Sequence, residues 1–228
     1  FKVNGTKVWT SGAHVAHYMI LFCRTDAKSD DRHGGVSQFI VDMKTPGIKI
    51  SPIVDLSHEH HFNEVVFEDM FLPTSALLGN QGDGWKQVTG ELAYERSGPD
   101  RFLSTFTLLI EGFAMLGEGV DDRAKIALGR IIAHLMTLRR MSRSIAGMLQ
   151  RGEDPAVHAA IVKELGTSLE QEMVEVLRLI VDAEPDSASS NPYVAVLAHT
   201  IMHAPSFSLR GGTREILRGM IARGLGLR

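Results

Sequence analysis

"NEVVFEDMFLPTSALLGNQGDGWKQVTGELAYERSG" runs from Asn63 to Gly98 and contains the point where the chain changes its hydrophobic period. Its first part is rich in Val and Phe and stops at Pro73, the pattern of a β-strand. From Gly82-Asp83-Gly84-Trp85 onward, apolar residues recur at three- and four-residue spacing, the pattern of a helix. The intervening "GNQGDGW" is glycine-rich but lacks the Lys-Ser/Thr pair of a phosphate loop. It therefore reads as the turn between two domains, residues 1–79 and 80–228.

Upstream of that turn the pattern is β throughout. Asn4-Gly5 sits between apolar-alternating arms, which predicts a hairpin. "HYMILFCRT" and "VSQFIVDM" read as strands, and Thr45-Pro46-Gly47 predicts a turn into "IKISPIV". Strands joined by short turns imply a partial antiparallel sheet or barrel. Downstream, long amphipathic runs follow one another. Gly98-Pro99 predicts a break in the first. Asp154-Pro155 and Asn191-Pro192 each predict a helix start, with a capping side chain followed by proline. The fold class expected is α+β, with the β-domain followed by an antiparallel four-helix-bundle-type domain.

The 228 residues are 44% hydrophobic and 22% charged, with a formal charge of −3. That balance gives no reason to expect nucleic acid or an anionic membrane as partner. No apolar stretch reaches the roughly 18 residues that span a bilayer. The single cysteine, Cys23, excludes an internal disulfide framework and fits a reducing compartment. The opening "FKVNGTKVW" has no signal-peptide character, and the chain is expected to be the remainder of something longer. "HEHH", His58 to His61, carries no metal expectation: neighbours on a strand point to opposite faces, and no ligand cluster of suitable spacing lies nearby.

The blocks "KVWTSGAHVAHYMILFCRTD", "HFNEVVFEDMFLPTSALLGNQGDGWKQV", "LAYERSGPDR" and "GGTREILRGMIARGLG" together resemble the acyl-CoA dehydrogenase family, in its order and spacing. The resemblance spans nearly the whole chain. It covers the second part of the family's middle β-domain and its C-terminal four-helix domain. It implies FAD as cofactor, an acyl-CoA thioester as substrate and α,β-dehydrogenation as the reaction. A carboxylate takes a proton from one carbon while hydride leaves the next for flavin N5. It further implies a role in fatty acid metabolism, an electron-transfer-flavoprotein-type acceptor and a dimeric or tetrameric assembly, typically a homotetramer. The implied location is the cytoplasm of a bacterium, or the mitochondrial matrix of a eukaryote.

Residue by residue, Lys7-Val8-Trp9-Thr10-Ser11 matches the family's Lys-x-Trp-x-Thr/Ser motif. The resemblance implies that Trp9 packs on the flavin and that Ser11 bonds near N5, both from one side of a strand. On residues alone, Trp9 reads as a hydrophobic plug beside a hairpin. The family's usual base lies in a Tyr-Glu-Gly-Thr stretch, where this chain has Arg210-Gly211-Gly212-Thr213. Gly211 thus stands where the carboxylate is expected. Some members carry the base in an x-Glu-Arg motif on an earlier helix, and "LAYER" supplies Glu95 and Arg96. The resemblance therefore implies Glu95 as base, Thr213 at the cofactor, and Arg96, Gly211 and Gly212 at the substrate. Gly211 leaves space and Glu95 fills it; a second carboxylate there would raise a pKa by like-charge repulsion. On residues alone, a Glu-Arg pair on a helix reads as solvated surface charge.

The match departs from the family at the cofactor's ADP end. "DDRAKIALGR" and "NPYVAVLAHTIMH" replace the family's Arg-x-x-Phe-Gly and Gln-x-x-Gly-Gly stretches; Arg123 could still reach a phosphate, but the motif around it is absent. The sequence leaves open a homomeric or heteromeric assembly, including a non-catalytic subunit that completes a partner's site. It also leaves open a related flavin oxidase or monooxygenase.

Overall fold

The computed structural model describes residues 1–27, 31 and 33–227. The chain forms two compact units, Phe1–Gly90 and Glu91–Arg228.

The first unit contains β1 (Lys2–Lys7), β2 (Tyr18–Arg24), β3 (Val36–Asp42), β4 (Ile48–Val54), β5 (His60–Phe71) and β6 (Leu77–Leu78). They form two three-stranded antiparallel sheets, ordered β1-β5-β4 and β2-β3-β6. Leu21, Phe39, Val41, Val65, Phe67, Met70 and Leu72, drawn from or beside both sheets, make one core cluster. The turn at Thr45–Gly47 passes the chain from one sheet to the other.

Asn4-Gly5 does not turn the chain. Both residues lie inside β1, which pairs with β5 with Val3 opposite Met70 and Gly5 opposite Phe67. Glu68 and Asp69 therefore face Asn4 alone, a two-against-one β-bulge. Asp69 adopts φ +49°, and the Asn4 amide bonds it twice, donating to Oδ1 at 3.0 Å and accepting from its N–H at 2.8 Å. The bulge resets the pleat. Upstream, Asn63, Val65 and Phe67 point inward; downstream, Met70 and Leu72 do.

The helices are α1 (Gly84–Ser97), α2 (Phe106–Leu116), α3 (Asp122–Gln150), α4 (Ala156–Ile180), α5 (Pro192–His203) and α6 (Arg214–Gly224). Gly98-Pro99 ends α1, and a 3₁₀ turn at Pro99–Arg101 follows. Asn191 caps α5 by accepting from the Val194 N–H. Asp154 accepts from the Ala156 N–H, so α4 starts one residue after Pro155. The division between units falls inside α1, whereas the change of period lies at Gly79. The first turns of α1 belong with the sheets: Gln87 Nε2 donates to the Leu78 carbonyl at 2.7 Å, and Trp85 stacks on His33 at 4.1 Å.

α4 is the central element of the second unit, and α2, α3, α5 and α6 each pack against it. Its buried residues recur at helical spacing: Val162, Gly166, Leu169, Met173 and Leu177. Among the described residues, no helix is long and apolar enough to cross a membrane.

Candidate functional site

In the first unit, β1 ends at Lys7, so Trp9 and Ser11 do not share a strand face as the sequence reading has it. They lie in the turn that follows. Trp9 is in the left-handed region at φ +62° and is 63% exposed. That backbone costs a bulky residue about 1–2 kcal/mol, and an indole so exposed recovers little of it by burial. Phe62 flanks the ring edge-on at 5.8 Å. An indole with open area beside the exposed Ser11 hydroxyl fits a flat heteroaromatic ring with a polar edge, so this turn suits an isoalloxazine.

In the second unit the structure brings Glu95, Arg96, Gly211 and Gly212 together. Both glycines have positive φ, +62° and +104°, so the pair serves backbone angle as well as space. A Cβ built on Gly211 would lie 3.5 Å from Arg96 Cγ and 3.7 Å from both Arg101 Nε and Glu95 Oε1. The Glu95 carboxylate therefore stands beside the missing side chain. Glu95 keeps 44% of its side chain exposed, while its ion-pair partner Arg101 keeps 9%. Arg101 Nε also donates to the Glu95 carbonyl at 3.3 Å.

Arg96 is placed differently from the substrate contact expected of it. It is 7% exposed, and its Nε donates to the Gly211 carbonyl at 2.7 Å. It acts as a strut between α1 and the glycine loop. Burial lowers its pKa from the ordinary value, and neighbouring Glu95 pulls the other way. Thr213 precedes α6, and its hydroxyl does not cap that helix.

A layer of charge under α4 sets these positions. Gly166 lets the Pro99–Arg101 turn approach, because a Cβ there would meet the Arg101 carbonyl at 2.3 Å. Glu170, fully buried, accepts from the Ser104 N–H at 2.8 Å and from Arg210 at 2.7 Å. Glu164 binds Arg214 and Arg218, tying α4 to α6. Burial pushes the Glu164 carboxyl up, but the hydrogen bonds from those arginines outweigh it and hold its pKa low. Lys163, also fully buried, donates to Thr167 Oγ1 and to the Phe207 carbonyl. Burial first, then Arg210 and Arg101, bring its pKa down to about 8. The sequence does not single out Arg101, Gly166 or Asn63. Arg101 and Asn63 lie inside the matching blocks, but nothing in their spacing marks them. Gly166 interrupts an otherwise strong helical run, a weak signal of close packing.

Residues 1–70 match the family model described as acyl-CoA dehydrogenase, middle domain. The chain is 34% identical to acyl-CoA dehydrogenase FadE29 of Mycobacterium tuberculosis, over 97% of this chain and 59% of that protein. It is 31% identical to acyl-CoA dehydrogenase FadE34 of the same organism, over 98% of this chain and 30% of that protein. Among solved structures, a variant of the Tcur3481-Tcur3483 steroid ACAD superposes with TM-score 0.88 at 27% identity, over 100% of this chain and 62% of that one. The chain thus spans less than two thirds of the length of each.

Proposed function

Because this chain belongs to the acyl-CoA dehydrogenase family, we propose that the whole protein catalyses FAD-dependent α,β-dehydrogenation of an acyl-CoA thioester, with Glu95 as the base. FAD, when bound, supplies the hydride acceptor. The chain's residues do the rest. Trp9 offers a flat apolar face to the ring and Ser11 a hydroxyl to its polar edge; Thr213 offers a second hydroxyl from the glycine loop. Gly211 and Gly212 bound the substrate with bare backbone, and Arg96 positions that loop. Glu95 takes the proton from the carbon next to the thioester carbonyl.

The observation that carries this reading is the 3.7 Å between Glu95 Oε1 and the position of a Gly211 side chain. A carboxylate from α1 lies beside the point where the other motif's side chain would begin. The substrate is a bulky, ring-bearing acyl-CoA, a reading supported by the steroid ACAD named above. An electron-transfer-flavoprotein-type acceptor, a role in fatty acid or related acyl breakdown, a dimeric or tetrameric assembly such as a homotetramer, and a reducing compartment such as the cytoplasm complete the proposal. A second reading is a subunit that works only beside a different partner. The absent ADP-binding motifs favour it, as does the two-component name of the similar structure.

Glu95→Gln in the full-length protein tests the first reading. Flavin bleaching by the best acyl-CoA, followed anaerobically in a single turnover, is expected to slow by about 10²- to 10⁴-fold with substrate binding retained. Bleaching at the parent rate would make Glu95 a surface charge.

A further inference from the structure

Trp9 raises a question that family membership does not answer: what keeps an exposed indole on a disfavoured backbone? The restraint comes from β5. Thr10 and Asn63 exchange backbone hydrogen bonds in both directions, at 2.9 and 3.0 Å, and the Gly12 N–H donates to the His61 carbonyl at 2.9 Å. Asn63 has no exposed surface, and its side chain is fully engaged. Its Nδ2 donates to the Thr10 carbonyl at 3.0 Å and faces His14 Nδ1 at 3.1 Å; its Oδ1 faces His60 Nε2 at 2.8 Å. Nδ2 carries two hydrogens and Oδ1 only accepts. His14 therefore accepts at Nδ1 and His60 donates at Nε2. The two imidazoles stack at 4.0 Å across this amide.

The Thr10 carbonyl thus receives two donors, the Asn63 N–H and the Asn63 amide. That carbonyl belongs to the Thr10–Ser11 peptide, and the Trp9–Thr10 peptide before it is held by the Thr10 N–H on the Asn63 carbonyl, so both peptides after Trp9 are fixed by Asn63. The side chain that completes this clamp is buried, while the side chain the clamp restrains is open.

We propose that Asn63 is a positioning residue, which acts through Thr10 to present the Trp9 indole to the flat ring of the cofactor. The inference rests on the reading that Trp9 faces that ring. His14 and His60 hold the amide in the orientation that gives both hydrogens to the turn and its ring partner. Asn63 touches neither cofactor nor substrate in this role.

The test uses full-length protein with 5-fluorotryptophan, its Trp9 resonance assigned by Trp9→Phe. Asn63→Asp keeps shape but replaces the donor with an acceptor facing the Thr10 carbonyl. In the cofactor-free protein the Trp9 resonance is expected to move or broaden, and FAD dissociation to quicken about tenfold, the loss of one buried hydrogen bond. His14→Ala changes an exposed residue and serves if Asn63→Asp does not fold. It frees one side of the amide, and the same resonance should shift with a smaller gain in the FAD off-rate. An unmoved Trp9 resonance, or a parent-like off-rate despite a moved one, overturns the inference. Trp9→Ala separates the two readings. If it retains FAD like the parent, the placement of the flavin against Trp9 fails, and the inference loses its ligand. If it releases FAD faster while Asn63→Asp and His14→Ala do not, only the positioning role fails.

Discussion

The turn at Trp9 and the loop at Gly211 both hold a residue of the proposed chemistry on a backbone with positive φ, but by different means. At Trp9 a bulky residue accepts the disfavoured angle, and one buried neutral amide restrains it. At Gly211 glycine removes the steric cost, and charged side chains do the restraining: Arg96 on the loop carbonyl, Arg101 on Glu95, Arg210 on Glu170. The first arrangement concentrates the restraint in neutral groups of β5, at Asn63 and His61. The second spreads it through several neighbouring charged groups, so the effects of their losses need not add.

The largest effect expected comes from moving the carboxylate. Glu95→Ala should slow flavin reduction by about 10²- to 10⁴-fold, and adding Gly211→Glu should restore part of that rate, on the order of tenfold. Full recovery is not expected, because φ +62° at position 211 costs a non-glycine residue about 1–2 kcal/mol. Gly211→Glu alone should inhibit, since two carboxylates would share one space. No recovery in the double variant would mean that backbone angle governs the Gly211 loop as it does Trp9, and the contrast would collapse.

The coupled charges make a second prediction of middle size. The pKa of Lys163 lies near 8 in the folded protein, against an ordinary value of 10.5. Between those values the unfolded chain holds a proton that the folded chain has released, so stability rises with pH across that window. The rise is about 3 kcal/mol for this group. Lys163→Met should therefore be more stable than the parent at pH 7 in urea unfolding, by a margin that disappears near pH 10. A margin independent of pH would assign the effect to packing rather than charge.

The smallest effect sharpens the other side. Asn4→Ala removes both hydrogen bonds to Asp69 at an exposed bulge and should cost about 1 kcal/mol, with the FAD off-rate unchanged. A thermal midpoint equal to the parent's would show that Gly5 alone sets the bulge.

What the sequence by itself determined was the order of strands then helices, the helix break at Gly98-Pro99, the helix start at Asn191-Pro192, and the juxtaposition of Glu95 with an acid-free Gly211. Those follow from local rules, namely hydrophobic period, missing amide hydrogens and side-chain caps, and from motif resemblance. The Asn4-Gly5 dipeptide shows where such rules stop. An Asn side chain that bonds nearby backbone and a permissive glycine serve a hairpin or a bulge equally, and only pairing with β5, some sixty residues later, selects the bulge. The strand expected through Ser11 ends at Lys7 for the same kind of reason, because Asn63 captures Thr10 from across the fold. Arg96 reaches the Gly211 carbonyl 115 residues along the chain, and Gly166 admits the backbone of Arg101, whose side chain meets Glu95. Tertiary structure decided these points because each depends on which distant backbone carbonyl or carboxylate reaches a donor first, a quantity that no local window of sequence contains.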